Sequence, residues 1–221
     1  NFGASNFYFP SFYDQYEEVD ARLFSIKYQK SHTNKFSSVA IGSYRRHNDL
    51  YDFNKFRISD VSRVNFHQTD VLAFEWKGRY LTKAGATSFG VEVRQEGVIS
   101  NRLGLELDNA IKVNNYDLFY DKGLKRNNLS FFIEQQKNWD KLFISTGALL
   151  NFNNQFGTEF YPGLDVSYQL NTSNSLYASI NRSLRFPTFT EQYLNTSTVV
   201  GNPNLESEEA IFYELGYKLA D

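Results

Sequence analysis

The sequence holds no cysteine and no methionine among its 221 residues, and only four prolines, three histidines and two tryptophans. Without cysteine there is no disulfide scaffold, no thiolate metal site, no thiol nucleophile and no thiol redox chemistry. Neither sign of charge dominates, since 23 Lys+Arg against 25 Asp+Glu leave a formal net charge of -2. The basic balance of a nucleic-acid binder is therefore missing. The longest apolar stretches, Val71–Phe74 and Ala210–Tyr213, run four residues, far short of the 18 or so that a membrane helix needs. A helical membrane protein is excluded. Charged residues at 22% and apolar ones at 41% also speak against wholesale disorder.

What the chain does have is aromatic side chains, 17% of all residues, arranged with period two. Phe24, Ile26 and Tyr28 oppose Ser25, Lys27 and Gln29. Over Val71–Leu81, Leu72, Phe74, Trp76 and Tyr80 lie on one face and Glu75, Lys77 and Arg79 on the other. Over Thr87–Gly97, Phe89, Val91 and Val93 oppose Glu92, Arg94 and Glu96. The same alternation runs through Leu164–Leu170 and Ile211–Leu219, and more weakly through Phe36–His47, Asn127–Lys137, Leu142–Asn153 and Ser175–Arg185. This predicts nine antiparallel β-strands and almost no helix.

The mean hydropathy of -0.49 fits a soluble β-sandwich and equally a membrane β-barrel, whose polar lumen face cancels its lipid face. Strand length and connections separate the two. Most predicted strands run about 9–13 residues, against roughly 5–6 in soluble proteins. Ten tilted residues cover about 25 Å, the height of an outer-membrane apolar band. Short connections at Ser31–Lys35, Lys83–Ala86, Asn138–Lys141 and Asn171–Asn174 alternate with long ones at His47–Asp70, Val98–Arg126 and Phe186–Glu208. Asn154–Glu159 is the one short connection on the long-loop side. Tight periplasmic turns and long extracellular loops are the outer-membrane arrangement. Aromatics near strand ends, Phe36, Tyr44, Tyr80, Phe160, Tyr161 and Tyr217, are placed to form interfacial girdles.

The stretch Ser175–Lys218 carries Arg182, Arg185 and Pro187, then Tyr193, then Gly201, Asn202, Pro203, Asn204 and Leu205. It ends on Glu208 and the run Tyr213, Glu214, Leu215, Gly216 and Tyr217. In this order and spacing the segment resembles the C-terminal part of a TonB-dependent outer-membrane receptor. Pro187 suits a strand end because it lacks an N–H, and Gly201–Asn204 is a run of turn formers. Arg182 and Arg185 differ in parity, so a regular strand does not turn both to the lumen unless a bulge intervenes. A second segment, Gly3–Tyr8 followed by Phe12–Glu17, is similar to a loop of cobalamin-type receptors.

The resemblance implies a 22-stranded barrel filled by a plug domain. It further implies a large scarce ligand, most readily cobalamin and otherwise a siderophore or haem, held by the extracellular loops. Its partners are the inner-membrane TonB complex, the plug and outer-membrane lipid, with no nucleic acid, no cofactor and no covalent chemistry. Residues 1–221 are then expected to be part of a single barrel domain of a Gram-negative outer membrane, a fragment about nine strands wide without its plug. A secreted β-sandwich binding glycans is the rival from another class.

Candidate sites follow. Loop aromatics Phe7, Tyr8, Tyr13, Tyr16, Tyr51, Phe53, Phe66, Tyr116, Tyr120, Phe189 and Tyr193 offer amphipathic contact area for a large ligand. Glu75, Lys77, Arg79, Glu92, Arg94 and Glu96 are expected to face the lumen and plug. His32, His47 and His67 lack metal-ligand spacing, and no Ser/His/Asp set, P-loop or dinucleotide motif is present. Asp14, Glu17, Glu18 and Asp20 have the oxygens of a calcium site but not its spacing, and are taken as solvated charge.

Overall fold

The computed structural model describes residues 2–3, 16–52, 64–113, 116–195 and 199–219. They form one antiparallel sheet of eleven strands. In chain order these are β1 (Phe2–Gly3), β2 (Tyr16–Ser31), β3 (Phe36–Asp52), β4 (Val64–Thr82), β5 (Gly85–Ser100), β6 (Leu105–Lys112) and β7 (Phe119–Trp139). They continue with β8 (Leu142–Asn153), β9 (Gly157–Gln169), β10 (Asn174–Arg185) and β11 (Glu208–Leu219), with a short helix α1 (Phe189–Tyr193) before the last. Each long strand pairs with its sequence neighbour except β6, which pairs only with β7 while β5 pairs with β7 directly. The nine expected strands are all present. β1 and β6 are additions, the latter hidden by a register shift between Glu106 and Ile111.

Directly paired residues of a ladder share a face, so register sorts every side chain. One row reads Gly42, Phe74, Val93, Leu129 and Phe152 across β3–β8. The next reads Ala40, Trp76, Val91, Phe131, Leu150 and Phe160. The opposite face reads Glu75, Glu92, Ser130, Asn151 and Glu159. One face is thus apolar and, unlike a soluble core, uncovered: Phe74 is 49% exposed, Phe131 45% and Leu215 83%. A sandwich would bury that face under a second sheet, whereas a barrel presents it to lipid. Among the described residues no helix is long and apolar enough to cross a membrane.

The turns explain why one rim is tight. His32–Lys35 is held by the Thr33 hydroxyl, which accepts from the N–H groups of Lys35 (3.2 Å) and Phe36 (3.0 Å). Asp140 takes a positive φ of 48° in the two-residue turn between Trp139 and Leu142. Gly85 has φ 124°, and a Cβ there would meet the Gln136 carbonyl oxygen at 2.0 Å, so only glycine fits. At the other rim the strands outrun the expected boundaries. β3 reaches Asp52 and β4 starts at Val64, because the hydrogen-bonded ladder continues beyond the lipid band where hydrophobic alternation has faded. The short exception closes on Asn153, whose Oδ1 accepts from the N–H groups of Gln155 (2.8 Å) and Phe156 (3.1 Å).

The outward aromatics sort into two levels, with Phe36, Tyr80, Trp139, Tyr168 and Tyr217 towards the short-turn rim and Tyr44 and Phe160 towards the other. Tyr161 departs from the expected girdle, since its parity turns it to the polar face.

Candidate ligand-facing wall and rim

The polar face of the sheet is a wall of interleaved charge. Glu75, Lys77 and Arg79 share it with Glu92, Arg94 and Glu96, as Glu75 pairs with Glu92 and Ala73 with Arg94. Neighbours two apart on a strand neutralise each other: Lys77 Nζ meets Glu75 at 2.5 Å and Arg94 Nε meets Glu96 at 2.6 Å. Towards β8 the charges give way to amides and hydroxyls. Ser145 donates to Glu134 (2.6 Å), Asn151 Nδ2 to the Ser130 hydroxyl (2.8 Å) and Asn153 Nδ2 to Asn128 Oδ1 (2.6 Å). These polar pairs were missed as site residues, although the parity of Asn128, Ser130 and Glu134 against Leu129, Phe131 and Ile133 carries them.

At the long-loop rim the segments 186–195 and 199–205 fold inward onto this wall. Thr188 caps α1 in a reciprocal box, its hydroxyl accepting from Glu191 N–H (3.2 Å) while its own N–H donates to Glu191 Oε2 (2.8 Å). Beneath the helix lies Arg126 of β7, 4% exposed. Its Nη2 donates to the Pro187 carbonyl (2.9 Å), Gln192 Oε1 (3.1 Å) and Gln155 Oε1 (3.3 Å). The guanidinium also lies over the Phe156 and Phe189 rings at 5.0 and 4.7 Å. Gln192 is 1% exposed and reaches the Pro203 carbonyl with Nε2. Gly201 donates to the Leu194 carbonyl (2.7 Å), and a Cβ there would sit 2.6 Å from the Gln192 backbone. Asn202 donates to the Glu191 carbonyl (3.0 Å), and its Oδ1 accepts from Asn204 N–H (3.0 Å), with Leu205 N–H reaching the Asn202 carbonyl (3.2 Å). The turn formers after α1 are therefore the far half of one small folded unit.

The bend after β5 is stitched to that unit. The Ser100 hydroxyl accepts from the N–H groups of Arg102 (2.8 Å) and Leu103 (2.9 Å) and sits 2.6 Å from His67 Nδ1. Leu103 then bridges Leu194, and Asn195 N–H donates to the Arg102 carbonyl (3.2 Å). Neither Arg126 nor Gln192 was anticipated from sequence. A lone arginine in a polar-face position carries no signal until its partners, 29 to 66 residues away, are known.

The two motif arginines diverge without a bulge. Arg185 takes the polar face, forking to Glu208 (2.5 and 3.0 Å) and to both Glu191 oxygens (3.0 and 3.1 Å). That pairing, with the Thr188 cap, holds the Glu191 carboxyl down to about 2. The ladder between β9 and β10 stops at Gly163–Asn181, next to Pro162, which has no N–H to donate. Arg182 fills the opening, reaching the Phe160 carbonyl (2.8 Å) and Glu209 (2.6 Å). Tyr213 to Gly216 lie in β11, where Leu215 faces outward and Glu214 and Gly216 inward; Glu214 accepts from the Tyr177 hydroxyl at 3.2 Å.

The aromatic candidates do not converge. Phe7, Tyr8, Tyr13 and Phe53 lie outside the described residues, as does Asp14. Tyr16, Tyr51, Phe66 and Tyr120 stand in strands rather than loops. Tyr16 and Tyr116 both donate to Glu18 Oε2 (3.1 and 3.0 Å), and Phe66 packs edge-on against Tyr120 at 5.4 Å with Val113, Leu50 and Ile99. That cluster caps the outward side of the rim, because even positions of β2–β4 keep facing out past the lipid band. Phe66 and Tyr120 are 2% and 7% exposed, so their rings offer a ligand no surface. Tyr51 faces the wall, and Phe189 and Tyr193 belong to the inward unit. Among the described residues no cluster of His, Asp and Glu could hold a metal ion.

The sequence matches the family model for the TonB dependent receptor-like β-barrel over residues 1–221. The chain belongs to that family. No curated protein matches it. The fold is similar to that of the siderophore receptor PirA from Pseudomonas aeruginosa (TM-score 0.74, 16% identity, 94% of this chain and 37% of that one). It is also similar to a variant of the ferric enterobactin receptor PfeA from the same organism (0.72, 15%, 93% and 33%). PirA from Acinetobacter baumannii matches more loosely (0.53, 12%, 93% and 41%). The chain thus spans little more than a third of the solved receptors it resembles. The sheet is a sector of a TonB-dependent receptor barrel in a Gram-negative outer membrane, with short turns periplasmic and long loops extracellular. The expected likeness to cobalamin-type receptors is not shown, as the segment carrying it falls mostly outside the described residues and the solved neighbours are named for siderophores.

Proposed function

We propose that this chain is part of a single barrel domain whose receptor imports a ferric siderophore through TonB-driven rearrangement of a plug. The observation that carries the reading is the match to the receptor-barrel family along the whole chain, on a sheet with one lipid face and one charged face. The solved neighbours' names favour a siderophore over cobalamin, and at these identities they lend support through fold alone. The charged wall suits a plug, because paired charges such as Lys77–Glu75 and Arg94–Glu96 present a polar surface without net field. The inward unit held by Arg126 presents Tyr193 and Phe189 at the mouth, where an aromatic chelate would be met. No step of covalent chemistry is needed.

Uptake in cells expressing the receptor tests this. Radio-iron supplied as a panel of siderophores should enter in a TonB-dependent way and compete with one another, while labelled cyanocobalamin should not. Loss of cobalamin uptake on deleting the gene, with iron uptake intact, would overturn the siderophore assignment and leave the family unaffected.

A further inference from the structure

On the lipid-facing side, two adjoining hollows interrupt the apolar surface at the level where it meets the extracellular rim. The lower is a groove of about 600 Å³ floored by Leu72, Phe74, Val93, Leu129 and Phe152. The upper is a notch of about 320 Å³ that shares Leu72 and Gln95 with it. Register explains both. The row above Phe74–Val93–Leu129 reads Tyr44, Leu72, Gln95 and Asn127, and the row above that reads Arg46, Asp70, Gly97 and Lys125. Val93 is short between larger neighbours, which opens the groove. Gly97 leaves a gap between Asp70 and Lys125, where a Cβ would meet nothing nearer than 3.8 Å.

The chemistry changes with height in the order that a lipid does. The groove is apolar. At its upper end Gln95 Nε2 donates to Asn127 Oδ1 (2.9 Å) and Asn154 Oδ1 accepts from Asn127 N–H (2.7 Å). Above them Asp70 is already satisfied by Tyr44 (2.7 Å), Gln68 (3.0 Å) and two nitrogens of Arg46 (2.7 and 2.9 Å). The Lys125 side chain is exposed and forms no hydrogen bond or ion pair among the described residues. The notch therefore has a net positive charge, one free ammonium, and an open floor leading into a greasy channel. Four residues of strand separate Lys125 from Leu129, about 13 Å, which puts the ammonium at headgroup depth when Leu129 lies among acyl chains.

We propose that this hollow is a binding site for one phosphorylated lipid of the outer leaflet, with an acyl chain along Phe74, Val93, Leu129 and Phe152 and a phosphate on Lys125 and Arg46. The occupant is a lipid because the notch is continuous with the membrane-facing surface and opens into no aqueous lumen. It does not depend on which nutrient the receptor carries. The full receptor, purified in mild detergent, is incubated with bisphosphorylated lipid A or its dephosphorylated form, and retained lipid is counted by native mass spectrometry. Retention of the phosphorylated lipid should exceed that of the dephosphorylated one. Lys125→Glu should cut it about thirtyfold, since each cation at a membrane surface is worth roughly fivefold and the charge is reversed. Gly97→Leu should cut it by filling the notch with no charge change, and Lys27→Glu on the polar face should leave it unaltered. Equal retention of both lipids, or retention unchanged in both Lys125→Glu and Gly97→Leu with heat-modifiable mobility showing folded barrels, would overturn the proposal.

Discussion

Removing the Arg126 side chain should release the inward unit while leaving the barrel intact. In Arg126→Ala the Pro187 and Gln192 oxygens lose the donor that lies 2.9 and 3.1 Å away. Hydrogen bonds to a charged group contribute roughly 1.5–3 kcal/mol each, and stacking on the two rings adds about 1 kcal/mol apiece. Water entering the vacated space recovers part of the first term. A net loss of about 3–4 kcal/mol remains, which is two to three orders of magnitude in the equilibrium between folded and released loop. Hydrogen exchange reads this directly, because Leu194 N–H bonds Thr190 (3.1 Å) and Gly201 N–H bonds Leu194 (2.7 Å) only while the unit is folded. Those two amides should lose about a hundredfold or more of their protection, whereas amides in β8 should keep theirs. Arg126→Lys keeps a donor but loses the planar stacking on Phe156 and Phe189, so it should fall between, about 1–2 kcal/mol down. Unchanged protection at Leu194 and Gly201 in a correctly inserted Arg126→Ala receptor would refute the reasoning.

Other substitutions probe the two faces and the motif separately. Phe131→Arg puts a cation at mid-band and should destabilise insertion by about 2–4 kcal/mol in urea titrations with vesicles, while Ser130→Arg on the neighbouring polar face should cost far less. Gly201→Ala forces a Cβ against the Gln192 and Tyr193 backbone and should raise protease cleavage within 186–205, as Arg126→Ala does. Glu191, held down to about 2 by Arg185 and Thr188, has a depressed folded-state value. Its contribution is therefore complete above its ordinary value near 4.5 and is lost as pH falls through about 2. Pepsin at pH 4 should leave the loop intact and near pH 2 should cut it. Glu92→Leu removes one charge from the wall and should unseat the plug, read as antibiotic leakage, with insertion unaffected; normal exclusion and transport would count against plug contact there.

How far the sequence discloses this molecule depends on how local each signal is. Period-two alternation needs only neighbours, so Phe74 against Glu75 and Val93 against Glu92 announce strand, face and parity at once. The strand ends are less visible. Outward positions beyond the lipid band, such as Arg46, Asn48 and Gln68, are polar on both sides of the chain, so alternation by hydrophobicity fades while the hydrogen-bonded ladder continues. That is why Tyr51 and Phe66 looked like loop residues and stand in strands. β6 escaped because its pairing with β7 breaks register after two residues. The Gly201–Leu205 run could be recognised as a turn, but its purpose could not. It closes back on Gln192 and Glu191, and that contact is invisible without the inward course of the loop.

Parity also limits which side chains this sheet turns towards the mouth. A side chain that faces outward within the band still faces outward above it, because a ladder in continuous register cannot change its phase. Tyr16, Phe66 and Glu18 are therefore on the same side as Phe74, and their clustering with Tyr116 and Tyr120 covers an otherwise exposed outer rim. Side chains that reach the mouth come from the other phase, such as Tyr51, or from segments that leave the sheet and fold inward. Among the described residues, 186–195 and 199–205 form such a unit, held to the wall by Arg126 and Arg185 and to the bend after β5 by the Leu103–Leu194 bridge and the Asn195–Arg102 bond. Of the two arginines only Arg126 is buried, so its loss should loosen the unit from β7 while Arg185 and the bend after β5 still hold it.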